Sequence, residues 1–192
     1  MEYVNFGAAD VKVSRLAFGL GLRGQSDEAE AQRVIEHALD LGINLIDCAN
    51  LYAPNDDRAR NGRSEVVLGK ALRGKRDDVV ITTKVAAPIG EGPNDEGLSR
   101  YHIMREVERS LKRLDTDHID IYLVHRSDEQ TPFEETIRAL DDLVHAGKSA
   151  TWGVVTMRRG RCVRRYGSPS AKCNAVHVRP KSLQSIKSTN GA

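Results

Sequence analysis

Cysteine is scarce in this chain and poorly spaced. Cys48, Cys162 and Cys173 form no CxxC pair and have no clustered histidines beside them, so the sequence suggests neither a disulfide framework nor a zinc site. Long apolar runs are missing too. None approaches the roughly 18 residues that a membrane span needs, and the opening MEYVNFGAADVKVSRLAFGL lacks the basic-then-apolar profile of a signal peptide. The expectation is a reduced, cytoplasmic setting, with no metal and no membrane partner.

Acid is absent from one stretch altogether. All 27 Asp and Glu lie in 1–154 beside 20 of the 29 Lys and Arg, whereas 155–192 holds nine basic residues and no acid. That tail has no helical stripe and few apolar residues in any window, with scattered Gly, Ser and Pro, so disorder is the physically cheaper state for it. Nine positive charges could contact phosphates, but Tyr166 is the only aromatic among them and no folded module surrounds it, which weighs against a nucleic-acid interface. Two regions are expected, 1–154 and 155–192. The first is globular in composition, since the whole chain is 40% hydrophobic and 29% charged.

What is present in 1–154 is a regular alternation. LAFGL (16–20), INLID (43–47), VVITTK (79–84), IDIYLV (119–124) and SATWGV (149–154) are apolar runs of strand length, as expected of strands covered on both faces. Helical stripes lie between them. Val34, Ile35, Ala38 and Leu39 line a helix from about 27 to 41, with Asp27 and Glu30 spaced as a capping box and Gly42 as its stop. Val67, Leu68, Ala71 and Leu72 mark a second helix over about 64–73, and Ile103, Val107, Leu111 and Leu114 a third, with Ser99 as N-cap. The fourth has Thr131 as cap, Pro132 in the first turn, Glu134 closing a box and Gly147 as its end. YVNF and VKVSRL, ahead of Leu16, suit a hairpin across the bottom of a barrel.

Strict βαβα order implies a parallel sheet with right-handed crossovers, either an open doubly wound sheet or a closed (β/α)8 barrel. Pattern alone does not choose. Against the dinucleotide-binding open sheet, LAFGLGLRGQSD (16–27) carries glycines at 19, 21 and 24, which is not the GxGxxG spacing.

Four titratable residues, Asp47, Tyr52, Lys84 and His125, sit at or just past the C-terminal ends of these strands, the end at which parallel barrels build active sites. A tyrosine phenol is a poor acid at neutral pH, and a nearby lysine ammonium makes its proton easier to give. Lys84 suits that task. Asp47 would keep the lysine charged and oriented, and His125 could hydrogen-bond a substrate oxygen. Singly, each has a structural explanation: a loop cap, a half-buried aromatic, a solvated strand end, a satisfied rim histidine. Their joint appearance on successive strand ends favours chemistry. Arg126 suits a substrate pocket or a rim salt bridge equally, and Cys48 a buried filler.

GINLIDCANLYAPN (42–55), SEVVLGKAL (64–72), TTKV (82–85), SLKRLDTDHIDIYLVHRSD (110–128) and HAGKSATWGV (145–154) resemble, in order, the motifs of the aldo/keto reductase superfamily. The resemblance implies an α/β fold of the (β/α)8 TIM-barrel type, here incomplete at about five β/α units. It implies NADPH bound without a Rossmann fold, and hydride transfer to a small carbonyl substrate, an aldehyde or ketone. Tyr52 would be the general acid, Lys84 and His125 would tune it, and Asp47 would anchor Lys84 and approach the nicotinamide ribose. Gly21 and Leu22 match a region placed near the nicotinamide. Some relatives serve instead as channel-associated subunits, so a non-catalytic binding or regulatory role is the alternative.

The chain also departs from the family. Where members carry a Ser-Asn pair that holds the carboxamide, it reads Val155 and Thr156; the later strands and the basic adenosine-phosphate loop are missing. The expectation is an inactive or truncated member, with 155–192 read from a shifted frame.

Overall fold

A computed structural model describes residues 1–7, 11–22 and 25–154. The expectations for 155–192, including the disordered tail, the shifted frame and the Val155–Thr156 pair, lie outside the described residues.

Two short strands, β1 (Tyr3–Asn5) and β2 (Lys12–Ser14), pair antiparallel with Val4 opposite Val13. There follow β3 (Ala17–Gly19), α1 (Glu28–Asp40), β4 (Leu45–Asp47), α2 (Arg63–Ala71), β5 (Val80–Val85), α3 (Arg100–Leu114), β6 (Ile119–Val124), α4 (Phe133–His145) and β7 (Ser149–Val154). The last five strands form one parallel sheet in the order β3-β4-β5-β6-β7. A doubly wound sheet reverses direction at a switch point. Strand order that follows chain order at every step is instead that of successive barrel staves, which decides the choice the periodicity left open.

The central strands β4, β5 and β6 divide their apolar residues between two cores. Ile46, Ile81, Tyr122 and Trp152 pack outward with Val67, Ile103 and Leu140 of the helices. Leu45, Val80, Ile121 and Leu123 point inward and are capped by Val13 and Phe6. The hairpin therefore plugs the end where β4 and β5 begin. Asn44 ties it there: its Oδ1 accepts from Ser14 N at 2.7 Å, and its own N–H donates to Ser14 Oγ at 3.2 Å. This clamp explains why β4 starts at Leu45 and not at Ile43, whose N–H closes α1 on Ala38 O.

Three of the four helix starts differ in some degree from expectation. Asp27 accepts from Ala29 N and Glu30 N as a cap, but the return half of its box is unmade, because Asp27 N donates to Gln25 and Glu30 pairs with Arg33. The second helix begins one residue early, at Arg63, after Gly62 in the left-handed region. At α4 the cap position falls on Pro132, with no side-chain bond, and not on Thr131. The reason is competition: Asp128 Oδ2 takes the Thr131 hydroxyl at 2.7 Å, and the same carboxylate accepts from the N–H groups of Leu98, Gln130 and Thr131. Ser99 caps α3 as read, accepting from His102 N.

Between sheet and helices lies an ion pair whose carboxylate is buried. Glu65 on α2 is fully buried; it accepts from Thr83 Oγ1 at 2.6 Å and from Arg113 Nε on α3 at 2.6 Å. Beside it, Gly69 lets the two helices approach, since a Cβ there would lie 2.6 Å from Leu114 O and 2.8 Å from Arg113 O.

Two substitutions test this layer. Gly69→Ala adds about 1 kcal/mol of helix propensity, yet overpacking against backbone costs about 1–3 kcal/mol, so urea denaturation followed by Trp152 fluorescence should show a net loss; a raised midpoint would contradict the helix spacing. Arg113→Ala strands a buried carboxylate and should cost about 3 kcal/mol or more in the same assay, with Glu65→Gln milder.

Candidate active site

The side chains at the C-terminal ends of β4, β5 and β6 are brought together by register. Asp47 lies opposite Thr82 in the β4–β5 ladder, so Lys84, two residues on along β5, points from the same face. The ladder continues beyond the strand, with Cys48 N donating to Thr82 O at 2.9 Å. A turn then carries the chain to Tyr52, whose N–H donates to Ala49 O at 3.1 Å. The start of α2 holds this turn from behind, with Ser64 Oγ donating to Ala49 O and Ser64 N to Tyr52 O, both at 3.2 Å. Asn50, 1% exposed, adds a bond from Nδ2 to Glu106 Oε2 on α3 at 3.4 Å.

Lys84 is 3% exposed. Its ammonium has three protons, and the site offers three acceptors: Asp47 Oδ2 at 2.8 Å, Cys48 O at 2.8 Å and Tyr52 Oη at 3.2 Å. Such complete pairing is what a buried charge requires. It also fixes a direction: the tyrosine oxygen accepts from lysine, so the phenol O–H points elsewhere.

His125 follows β6, anchored by its N–H on Val85 O at 2.9 Å. Its ring meets Tyr52 edge-on, with centroids 5.8 Å apart at 83°. Burial, assisted by the positive charges of Lys84 and Arg126, pushes its pKa down from 6.5 to about 4, so the imidazole is neutral at neutral pH. Its Nδ1 is buried and has no partner among the described residues. Exposed Arg126 thus bears on the site through its charge.

Asp47 and Tyr52 form one wall of a cleft of about 500 Å³; Gly19, Gly21 and Leu22 form another. A Cβ at Gly19 or Gly21 would meet nothing within 4 Å, so the wall is recessed there. Leu22 sits at φ 51°, an uncommon conformation for leucine, and its carbonyl accepts from Gln25 N. All six residues singled out by sequence therefore belong to this end of the sheet.

Sequence reading overlooked two further contributors. Thr82 Oγ1 donates to Asp47 Oδ1, and its position two residues before Lys84 on a strand was the available signal. The Cys48 carbonyl had none, since every residue carries one. Cys48 itself is buried, and burial pushes its thiol well up, as suits a filler. Among the described residues, no group of three or more His, Cys, Asp or Glu is placed to hold a metal ion, and no helix is long and apolar enough to cross a membrane.

The sequence pattern of the aldo/keto reductase family matches residues 15–163. A probable voltage-gated potassium channel subunit beta of Arabidopsis thaliana is 42% identical over 158 residues, covering 80% of this chain and 46% of that protein. The uncharacterized oxidoreductase YrpG of Bacillus subtilis (strain 168) is 42% identical over 77% of this chain and 47% of its own length. Among solved structures, the holo form of aldo-keto reductase AKR11C1 from Bacillus halodurans matches with a TM-score of 0.75 and 34% identity, over 85% of this chain and 53% of that one. The chain spans about half the length of the relatives it matches. Motif order, stave-like strand order and these matches agree, and the chain belongs to the aldo/keto reductase family.

Proposed function

We propose that these residues form the proton-donating part of an NADPH-dependent carbonyl reductase site, with Tyr52 as general acid toward a small aldehyde or ketone. One observation carries the reading: the Tyr52 oxygen accepts from Lys84 at 3.2 Å while Lys84 is held by Asp47 at 2.8 Å. The cleft residues suit the nicotinamide end of the cofactor. Its wall is recessed and uncharged at Gly19, Gly21 and Leu22, fit for a flat ring, and Asp47 offers a carboxylate to ribose hydroxyls. When bound, NADPH supplies the hydride.

The protein groups manage the proton. Tyr52 Oη–H donates to the carbonyl oxygen as negative charge develops there. The Lys84 ammonium stabilises the phenolate that remains, and Asp47 keeps that ammonium aimed. Neutral His125 keeps one ring N–H with which to hold the substrate oxygen. Hydride at carbon and the tyrosine proton at oxygen together give the alcohol.

The Arabidopsis relative's name favours a second reading, a binding or regulatory subunit on the same scaffold. Turnover separates the two. With saturating NADPH and an aromatic aldehyde, Tyr52→Phe should lower the rate about 10²–10⁴-fold while leaving NADPH binding intact; a rate unchanged by the substitution would remove Tyr52 from the chemistry, and binding without turnover would favour the regulatory reading. In a thermal melt, NADPH at a hundred times its dissociation constant should add about 2.7 kcal/mol, and no shift would mean that the site does not hold the cofactor.

His125 gives a pH signature. The unfolded chain protonates this histidine near 6.5 and the folded one near 4, so between those values the unfolded state binds more protons and stability falls as pH falls. An NMR titration of the His125 ring should show a midpoint near 4, moving upward in Lys84→Met as one repelling charge is lost; a midpoint near 6.5 would contradict the burial.

A further inference from the structure

Strand β5 reads Val-Ile-Thr-Thr-Lys-Val, with adjacent threonines that face opposite sides of the sheet. Each donates its hydroxyl to a carboxylate: Thr83 outward to Glu65 in the helical layer, Thr82 inward to Asp47. The outward pair is structural, being closed by Arg113. The inward pair lies one step from the reacting groups.

We propose that Thr82 is a positioning residue that locks the Asp47 carboxylate in the single orientation from which it can hold the Lys84 ammonium. The argument is geometric. Asp47 has two carboxylate oxygens; Oδ1 is taken by Thr82 and Oδ2 by Lys84, so both oxygens are fixed by side chains of one strand, two residues apart. A carboxylate tied at one oxygen can still turn about its last side-chain bond. Tied at both, it cannot. The restraint is needed because the Asp47 side chain is 35% exposed on its cleft side, where water competes for its lone pairs, whereas Thr82 is 3% exposed and its hydroxyl has little water to turn to. Charge assistance makes this bond one of the stronger kinds.

Loss of the Thr82 hydroxyl should release Asp47 toward the cleft and leave Lys84 with Cys48 O and Tyr52 Oη as its fixed acceptors. The lysine would then be less firmly aimed at the tyrosine oxygen. The catalytic part of this inference rests on the proposed function of Tyr52; the positional part does not.

Thr82→Val removes the hydroxyl while keeping shape, β-branching and strand preference, and Thr82→Ser restores the hydroxyl without the methyl. The direct readout is the ¹⁵Nζ–¹H correlation of the Lys84 ammonium at low temperature, assigned with Lys84→Met. A buried ammonium with three fixed acceptors exchanges its protons slowly enough to be seen. The signal should be present in the wild type and in Thr82→Ser, and broadened or lost in Thr82→Val, with far-UV circular dichroism unchanged. In turnover with NADPH, Thr82→Val should lower kcat about 10²-fold with little change in KM, and Thr82→Ser should recover most of it. Should Thr82→Val not give a native spectrum, Thr82→Ala serves as the second deletion. An ammonium signal in the folded deletion variant equal to that of the wild type, or a serine variant as impaired as the valine, would overturn the proposal. A wild-type chain that binds NADPH without turnover would overturn the reading of Tyr52, and the ammonium signal would then decide the role of Thr82 alone.

Discussion

An ammonium group at 3% exposure costs several kcal/mol to take out of water unless its protons all find acceptors. In this chain the acceptors of Lys84 come from three different kinds of structure: a strand-end carboxylate, a backbone carbonyl just past the strand, and a phenol on the following turn. Satisfying one charge therefore constrains the register of β4 against β5, the path of 48–52 and the rotamer of Tyr52 together. The rest of the site follows from that constraint. The turn that delivers Tyr52 is itself clamped by Ser64 at the start of α2, so the helix packing that stabilises the fold also sets the distance from phenol to ammonium.

The same sheet serves two layers with opposite needs. Outward, Arg113 reaches from partly exposed ground to a fully buried Glu65, where a full set of partners matters more than access. Inward, Asp47 remains partly open to the cleft, where a ligand could reach it. Two threonines in succession supply one hydroxyl to each layer because a strand alternates its faces. A helix in that position could not divide neighbouring residues in this way.

Much of this was legible in the sequence because the signals were local or periodic. Among the described residues, apolar runs located the five strands of the parallel sheet, and β6 and β7 fell on the residues read from them; helical stripes located the four α-helices. Two of the errors came from groups with competing partners. Thr131 is a good cap in isolation, but Asp128 holds its hydroxyl. Ile43 and Asn44 read as strand, but Asn44 ties the hairpin and Ile43 closes a helix. Neither competition can be seen before the elements are assembled. Asp47, Tyr52, Lys84 and His125 stood out as polar residues at strand ends, where apolar sequence makes them conspicuous. Thr82 did not, because threonine is ordinary in a strand, and only its register with Asp47 gives it a partner.

Lys84, Tyr52, His125 and Asp47 act as one electrostatic unit. The charge on Lys84 contributes to keeping His125 neutral, and that neutrality is useful in turn, since an imidazolium edge-on to Tyr52 would add a second cation beside a lysine already paired with a single carboxylate. Removing Asp47 would leave the ammonium uncompensated and raise the cost of the whole cluster. Removing Lys84 would relieve His125 while stranding Asp47 on Thr82. Effects of substitutions within such a set do not add, because each changes the charge against which the others are balanced. The energetic role of any one residue here is therefore defined only with the other three in place.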